Sequence, residues 1–556
     1  MAKEERPAQQ KPNKTLTEQF LEKKGAATNN ADASKNREEI EQLIAKIPDV
    51  KDKPIKSELE IKEVRGDYID RYSYKSKDIP ITITIIKRKG DFVPSYEVSI
   101  SSVSRTTEFI LEKIRRELIR KVNLGMVDLT DIKRYQQIEQ KFSATISDLI
   151  KRYFPDLDDE VKGFLTSYLI AKSLGLGNIE LLMDDNKLEE IVINDAGDPV
   201  WVYHKVHGWL KTNIFVRDEE QIRHYASIIG RRVGRQITVL EPLLDAHLEE
   251  GDRVNATLNP ISTKGNTITI RRFSRDPWTI TRFLKSNTIS VDAAALIWMA
   301  LHYEMSAIIA GGTASGKTSA LNCFANFFPP NQRIVSIEDT RELQLPKFLH
   351  WVPMNTRLPN AEGKGEVSMG DLLVNSLRMR PDRILVGEVR RSREAETLFE
   401  AIHTGHSVYA TFHANNADEA IKRLTNPPIE VPKIMLPAIS LLIVQFRNRR
   451  TGLRRTFQIA EITEDGESNV ILQYDAKKDT QVRVNKSTTF YDTLRLYTGY
   501  TDEEIEQELE EKKQVLHYLV EQDIHTVDEV GRIIAEYYTN KTNLMKFVKS
   551  NKKFVE

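Results

Sequence analysis

The sequence has almost no cysteine and no long hydrophobic run. Cys323 is the single cysteine among 556 residues, so the chain can form neither an internal disulfide nor a four-cysteine zinc site. The longest mostly apolar stretch, Ile434–Phe446, contains Pro437 and Gln445 and falls well short of the roughly 20 residues that a membrane-spanning helix needs. No apolar segment follows the N-terminal MAKEERPAQQ, which argues against a signal peptide. We therefore expect no part of this chain to cross a membrane, while docking onto a membrane protein stays open.

An excess of charge is also lacking. Lys plus Arg and Asp plus Glu both number 81, so the net charge does not point to a nucleic-acid partner. Hydrophobic residues make up 40% and charged residues 29%, which is typical of a globular protein. Because the chain is too long for a single core, the sequence predicts two or three domains.

The first half of the chain divides into three segments by composition and periodicity. Residues 1–57 are polar and poor in aromatics, which predicts a disordered tail. Residues 58–177 combine alternating runs with helical spacing, which predicts a small sheet plus helices. Residues 178–275 predict a separate α+β domain.

The second half begins with a predicted hinge linker at 276–287. In 288–470, short apolar runs alternate with helical stretches, which predicts a parallel sheet with helices on both faces. Residues 471–556 are charged and are predicted to be helical. Two capping-box patterns, Thr501-x-x-Glu504 and Thr526-x-x-Glu529, predict the starts of two terminal helices.

A glycine-rich loop lies between a strand-like run and a helical run. It fits the phosphate-loop pattern G-x-x-x-x-G-K-[ST]. Glycines let backbone N–H groups turn towards phosphate oxygens, and the N-terminus of the following helix attracts the same charge. Lys317 would reach the β and γ phosphates, and the Thr318 hydroxyl would bind Mg²⁺. The predicted cofactor-binding residues of this loop are Gly311, Gly312, Thr313, Ala314, Ser315, Gly316, Lys317, Thr318 and Ser319.

These residues predict the binding of a nucleoside triphosphate, and hydrolysis needs a carboxylate in addition. The sequence lacks N-K-x-D, the guanine-reading motif of G proteins, so ATP is the expected nucleotide. A glycine turn without a ligand is the alternative, and the strand–loop–helix context argues against it.

Two further strand-like runs end in carboxylates. One leads to Glu388, about 70 residues after the loop, and the other to Glu338-Asp339, with Glu342 just beyond. The carboxyl ends of parallel strands face the ligand, so a carboxylate there can hold Mg²⁺ and polarise the attacking water. We expect Glu388 in this role. For Glu338 and Asp339, a salt-bridged strand end is the alternative.

Two histidines, His406 and His413, belong to a third such segment. His413 ends the strand-like run, so it could sense or stabilise the γ-phosphate. A lone histidine is more often structural, and for His406 that alternative is equally open.

Together these motifs resemble those of the secretion-ATPase superfamily of type II and type IV systems, which names the last three the Asp box, the Walker B box and the His box. The resemblance covers about 178–458. The phrases GGTASGKTS (Gly311–Ser319), LRMRPDRILVGEVR (Leu377–Arg390) and RVNATL (Arg253–Leu258) look most like the archaeal branch, which drives pilus or archaellum assembly. Many bacterial type II members carry a four-cysteine zinc module, which one cysteine cannot build.

The resemblance implies a RecA-like P-loop ATPase domain preceded by an α+β, PAS-like N-terminal domain. An extra N-terminal β/helical region and a helical C-terminal tail would flank them. It also implies a homohexameric ring in which ATP and Mg²⁺ lie between the two domains and hydrolysis moves one against the other. The expected partners are identical subunits and an integral-membrane platform protein, at the cytoplasmic face of the cell membrane, without direct nucleic-acid binding. A RecA-like nucleic-acid motor is the alternative function.

Matching by position implies roles for individual residues. Glu388 matches the Walker B glutamate and, together with Thr318, would be a metal ligand. Glu338 and Glu342 match the Asp box, and His413 matches the His-box histidine. The arginines that fall where the family places arginine fingers, or where its N-terminal domain reaches the nucleotide, are Arg378, Arg380, Arg253, Arg271 and Arg272. For each arginine, a solvated or interdomain salt bridge is the alternative.

A dense basic run, Phe446–Arg455, is the remaining feature of the sequence. It could contact anionic lipid headgroups or nucleic acid. A solvated hairpin with Thr451-Gly452 at its turn is the favoured interpretation.

Overall fold

The structure is a computed structural model that describes residues 66–76, 79–100, 110–111, 113–115, 117–118, 132–154, 158–248, 251–273, 276–359 and 363–554. The chain divides into two compact units, Met1–Phe273 and Ser274–Glu556. The predicted tail 1–57 lies outside the described residues. The domain boundaries at 178, 276 and 288 stay predictions.

The first unit is built on a nine-stranded sheet. Its strands are β1 (Asp67–Ser76), β2 (Ile79–Lys87), β3 (Ser95–Ile100), β4 (Leu188–Ile193), β5 (Pro199–His204), β6 (Gly208–Phe215), β7 (Leu243–His247), β8 (Arg253–Thr257) and β9 (Thr267–Arg271). They lie in the order β1-β2-β3-β6-β5-β4-β9-β8-β7. The β3–β6 pair is parallel, and the other neighbouring pairs are antiparallel.

One face of this sheet is covered by helices. In β2, Ile81, Ile83 and Ile85 are fully buried while the intervening threonines are half-buried, as expected for the period of two of a strand. The same core contains apolar side chains from the helices of this unit. These helices are Ile132–Tyr153, Asp159–Leu174, Asn178–Met183 and Glu219–Arg232.

The second unit holds another nine-stranded sheet. Its strands are β10 (Ala307–Gly311), β11 (Arg333–Glu338), β12 (His350–Asn355), β13 (Arg383–Val386), β14 (Ser407–Phe412), β15 (Leu441–Arg447), β16 (Arg454–Ile462), β17 (Ser468–Asp475) and β18 (Thr480–Arg483). They lie in the order β12-β11-β13-β14-β10-β15-β16-β17-β18. The pairs from β12 to β15 are parallel, and those from β15 to β18 are antiparallel.

Helices cover both faces of the parallel part of this sheet. In β10, Ala307 and Ile309 belong to one apolar core, and Ile308 and Ala310 belong to the other. Strands buried on both faces read as continuous apolar runs, which is the pattern seen in the sequence. This arrangement confirms the predicted RecA-like α/β class.

The helices of the second unit divide between these two cores. On one face lie Val291–His302, Lys317–Ala325 and the C-terminal helices, and on the other lie Met369–Ser376, Ser392–His403 and Ala417–Thr425. The predicted linker 276–287 contains the helix Ile280–Lys285, which packs into the first of these cores. No helix in the described ranges combines the length and the apolarity that a bilayer crossing requires.

The C-terminal region begins with strands, which corrects the prediction of helix from residue 471. The segment 468–483 forms β17 and β18 because it pairs with β16 and buries Ile471 and Leu472. The helices that follow are Thr489–Thr498, Asp502–Glu521, Val527–Thr539 and Lys541–Ser550. Both predicted N-caps are present, since Thr501 and Thr526 accept the N–H groups of Glu504 and Glu529.

A buried polar cluster joins these C-terminal helices to Val291–His302. The Glu508 carboxylate accepts from Tyr303 Oη at 2.7 Å, contacts His302 Nδ1 at 3.0 Å and pairs with the fully buried Lys512. Close by, Trp298 donates to Tyr538 Oη at 2.8 Å. The C-terminal helices are therefore part of the core of the second unit.

Candidate functional site

The phosphate loop lies at the carboxyl end of β10. Gly316 has φ +95° at the start of the helix Lys317–Ala325, a left-handed conformation that glycine adopts without strain. A Cβ atom on Gly311 would lie 2.4 Å from Ser315 Oγ and 2.7 Å from the carbonyl oxygen of Gln445. Glycine is therefore required at 311 by close packing and at 316 by backbone conformation.

Lys317 points into the loop. Its Nζ donates to the carbonyl oxygens of Gly311 at 3.0 Å and Gly312 at 3.1 Å. Burial lowers the pKa of Lys317, and the negative charges of Glu388 and Glu342 oppose this effect. The hydroxyl of Ser315 is buried and has no hydrogen-bond partner within the described part of the chain. The loop therefore offers polar groups that suit phosphate oxygens.

Glu338 ends β11 with a carboxylate that is only 2% exposed. Its Oε1 accepts the N–H groups of Glu342 at 2.8 Å and Leu343 at 3.0 Å. Its Oε2 is buried and finds no hydrogen-bond partner among the residues described. Burial raises the pKa of Glu338 to about 7, so this side chain changes charge near neutral pH.

Glu388 lies next to Glu338 because β13 is the neighbour of β11 in the sheet. The N–H of Gly387 donates to the carbonyl of Ile337 at 2.8 Å, and a Cβ on Gly387 would lie 3.3 Å from the Cα of Glu338. Glycine before Glu388 therefore lets these two strand ends approach closely. The two carboxylates extend from adjacent strand ends.

His413 connects the end of β14 to the phosphate loop. Its Nε2 lies 3.1 Å from Thr313 Oγ1. Burial lowers the pKa of His413, and the positive charges of Lys317 and Arg423 lower it further. The imidazole is therefore neutral at pH 7 and has both a donor and an acceptor nitrogen.

Four neighbouring strands bring these side chains to one edge of the sheet. The order β11-β13-β14-β10 places Glu338, Glu388, His413 and the phosphate loop side by side at the carboxyl ends. Thr318 and Ser319 lie in the first turn of the helix that follows the loop. Thr318 and Glu388 supply oxygen atoms of the kind that Mg²⁺ binds. The arrangement fits a nucleoside triphosphate with its metal ion.

Arg378 and Arg380 lie at the other edge of the sheet. Both are exposed and follow the helix Met369–Ser376, just before the amino end of β13. His406 is at the same edge, where its Nδ1 lies 3.2 Å from the carbonyl of Ala401. The sheet therefore separates these three residues from the phosphate loop of their own chain.

Two of the three predicted arginines of the first unit form ion pairs within that unit. Arg253 contacts Asp245 at 2.8 Å, and the buried Arg272 contacts the buried Asp252 at 3.3 Å. Arg271 ends β9. Salt bridges were the alternative role for these residues, and contact with a nucleotide stays a prediction.

Two arginines at the phosphate-loop edge were not among the predicted site residues. Arg390 donates to Glu388 and to Asp339, and Arg454 Nε donates to the carbonyl of Ala314 at 3.2 Å. The position of Arg390, two residues after Glu388, was a usable signal. Nothing local links Arg454 to a loop 140 residues away.

The basic run forms the hairpin between β15 and β16. Asn448 N–H donates to the carbonyl of Leu453 at 2.8 Å, and Gly452 has φ +76° in the turn. The favoured hairpin interpretation is therefore confirmed. Because β15 is parallel to β10, this hairpin leaves the sheet at the edge that holds the phosphate loop.

Residues 173–495 match the family described as "Type II/IV secretion system protein". This match covers more than half of the chain. The chain belongs to the type II/IV secretion system protein family. Family membership confirms the resemblance that the motifs indicated.

Individual relatives agree with this family. The uncharacterized protein MJ0781 of Methanocaldococcus jannaschii is 28% identical, over 86% of this chain and 90% of its own length. The type IV secretion system protein PtlH of Bordetella pertussis is 30% identical, over 48% of this chain and 88% of its own. The crystal structure of the pilus retraction motor PilT with bound ADP covers 66% of this chain and 92% of its own at 18% identity, with a TM-score of 0.38, a similarity too low to add to the assignment.

Proposed function

We propose that this secretion-family chain hydrolyses Mg-ATP to drive assembly of a type IV pilus-like filament or a secretion machine. The observation that carries the proposal is the set of Lys317, Glu338, Glu388 and His413 at the carboxyl ends of four adjacent strands. Phosphoryl transfer to water needs a phosphate cradle, a residue that positions the attacking water and groups that stabilise charge on the γ-phosphoryl group. This edge of the sheet offers all three.

Each group has a distinct task in this proposal. The loop N–H groups and Lys317 bind the phosphates, with Lys317 exchanging its bonds to the carbonyls of Gly311 and Gly312 for phosphate oxygens. Glu388 orients and deprotonates the attacking water, while Glu338 and Glu342 supply negative charge beside it. Thr318, together with Glu388 acting through a water molecule on the metal, would hold Mg²⁺, which neutralises charge on the phosphates when bound. His413 contacts the γ-phosphate and thereby couples it to β14.

The positions of two arginines support the proposal of a ring of subunits. Arg378 and Arg380 lie at the edge opposite the phosphate loop, so they can serve a nucleotide only if it is bound by another subunit. A guanidinium there would neutralise charge that develops on the γ-phosphoryl group. We propose a homohexamer with shared sites, peripheral to the cytoplasmic face of the membrane, that acts on an integral-membrane platform protein.

The test combines turnover, assembly and partner response. We expect Mg²⁺-dependent release of phosphate from ATP, loss of this activity in Lys317→Ala, and six subunits by native mass spectrometry with ATP. Detergent-solubilised membrane fractions containing the platform protein should stimulate turnover. Stimulation by single-stranded DNA or RNA, with no response to the membrane fraction, would instead support a RecA-like nucleic-acid motor.

A further inference from the structure

Arg390 links two carboxylates at the ends of neighbouring strands. Its Nε and Nη2 both donate to Oε2 of Glu388, at 3.0 and 2.6 Å, and its Nη1 donates to Oδ2 of Asp339 at 2.9 Å. The other oxygen of Asp339 accepts from Thr356 Oγ1 at 3.1 Å. A hydrogen-bonded chain therefore runs across the carboxyl ends of β13, β11 and β12.

The two bonds from Arg390 to Glu388 reach the same oxygen. A guanidinium that donates twice to one carboxylate oxygen holds that oxygen in place and so restrains rotation of the carboxylate, because the donors lie in a rigid plane. Within the described residues, Oε1 of Glu388 accepts no hydrogen bond that would compete with a ligand. One oxygen is thus held, while the other stays available to water.

We propose that Arg390 is the positioning residue that aims Oε1 of Glu388 at the attacking water, with Asp339 holding Arg390 in place. This inference rests on the proposed ATPase function. In the step it serves, the water oxygen bonds to the γ-phosphorus while the bond to the β-bridging oxygen breaks. Oε1 of Glu388 takes the water proton, and ADP leaves with the bond electrons. Arg390 itself exchanges no proton and need not contact ATP.

The solvent exposure of Arg390 and Glu388 limits what their ion pair contributes to stability. The side chain of Arg390 is 56% exposed and that of Glu388 24% exposed, so the ion pair by itself contributes little to stability. Its loss should leave the fold and ATP binding intact. General-base catalysis accelerates a reaction about 10²- to 10⁴-fold, and a base that is present but poorly oriented loses part of this acceleration. We expect kcat to fall about tenfold in Arg390→Ala.

The experiment compares Arg390→Ala and Arg390→Lys with the wild-type chain in steady-state ATP turnover. We expect lower kcat with little change in KM or in the Kd for a fluorescent ATP analogue. Lys should restore part of kcat, because it can donate to Oε2 but cannot hold two donors in a plane. Added methylguanidinium should raise the kcat of Arg390→Ala and leave the wild type unchanged.

Matched controls separate positioning from general charge effects. Arg393→Ala removes a nearby arginine that pairs with Asp371 and should keep wild-type kcat. Asp339→Asn should also lower kcat, but by a smaller factor than Arg390→Ala does. Wild-type kcat in Arg390→Ala, or a higher one, would overturn the positioning role while leaving ATPase function intact. Absence of turnover in the wild type would overturn the proposed function first.

Discussion

His413 Nε2 and Thr313 Oγ1 lie 3.1 Å apart, which joins the end of β14 to the phosphate loop across 100 residues of sequence. A change in the loop on nucleotide binding can therefore move β14 directly. We expect Thr313→Val, which removes the hydroxyl, to weaken this coupling and to lower kcat about three- to tenfold, in line with loss of one hydrogen bond.

Steady-state kinetics of Thr313→Val and His413→Ala check this coupling. Both should lower kcat, and the double variant should be hardly worse than His413→Ala, because the two side chains act through one contact. His406→Ala is the control, since His406 lies at the opposite edge of the sheet and should keep normal turnover. Fully additive effects in the double variant would contradict the coupling.

Substitutions at Lys317 and Glu388 should separate ATP binding from ATP hydrolysis. Lys317→Ala removes the cation that faces the phosphates and should abolish turnover, with at least about 100-fold weaker ATP binding. Glu388→Gln keeps the shape of the side chain but cannot accept the water proton. It should bind ATP normally and hydrolyse it at least about 100-fold more slowly. Equilibrium binding and single-turnover hydrolysis measure the two effects, and loss of ATP binding in Glu388→Gln would show that its role is misplaced.

Glu338 should give the free enzyme a pH dependence near neutrality. Burial raises its pKa to about 7, so its negative charge is largely absent at pH 6 and present at pH 8. If the charge is needed, kcat/KM should rise with pH up to about 7 and then level off. Glu338→Gln should be slow and should lack this rise. Burial lowers the pKa of His413 from 6.5, so His413 titrates at a lower pH than Glu338.

The same carboxylate should destabilise the fold at high pH. Because the folded-state pKa lies above the ordinary value of 4.5, folding binds a proton between these two values, and stability falls as pH rises through them. Glu338→Gln should therefore raise the free energy of unfolding by up to ~3 kcal/mol at pH 8 and by little at pH 4. Denaturant unfolding at both pH values measures the difference, and equal effects would argue against a buried charge.

Mixed assemblies test whether sites are shared. Lys317→Ala and Arg378→Ala subunits should each be inactive alone. If Arg378 serves the nucleotide of a neighbouring subunit, mixing them creates some interfaces with both an intact loop and an intact arginine. We expect partial recovery of ATP turnover that peaks at intermediate ratios. Lack of recovery at every ratio would argue against a shared site at Arg378.

The buried pair Glu508–Lys512 should be important for stability. Desolvation lowers the pKa of Lys512 to about 8 even though Glu508 opposes this, and Lys512 is fully buried. Removing Glu508 alone would leave a buried cation without its carboxylate partner. We expect Glu508→Ala to destabilise the second unit by ~3–5 kcal/mol, and Glu508→Leu with Lys512→Met to cost much less. Thermal and denaturant unfolding of both variants, with Glu510→Ala as an exposed control, measures this.

Short-range chemistry was readable from the sequence. The loop Gly311–Thr318, the carboxylates after apolar runs, the caps at Thr501 and Thr526 and the two-faced burial of the parallel strands all follow from local residue types and spacing. The prediction of helix failed at 471–483, where antiparallel pairing in the order β16-β17-β18 prevails over a charged composition.

The sequence by itself determined which groups are available: a phosphate loop, two carboxylates and a histidine, each at the end of a strand. Only the tertiary structure decided that these strands are neighbours, that the Glu338 carboxylate is buried away from solvent and that Arg390 and Arg454 reach the site. It also placed Arg378 and Arg380 at the far edge of the sheet. The physical reason is that strand order and desolvation arise from packing between residues far apart in the chain, 140 positions for Arg454 and Ala314, whereas strand and turn preferences are local.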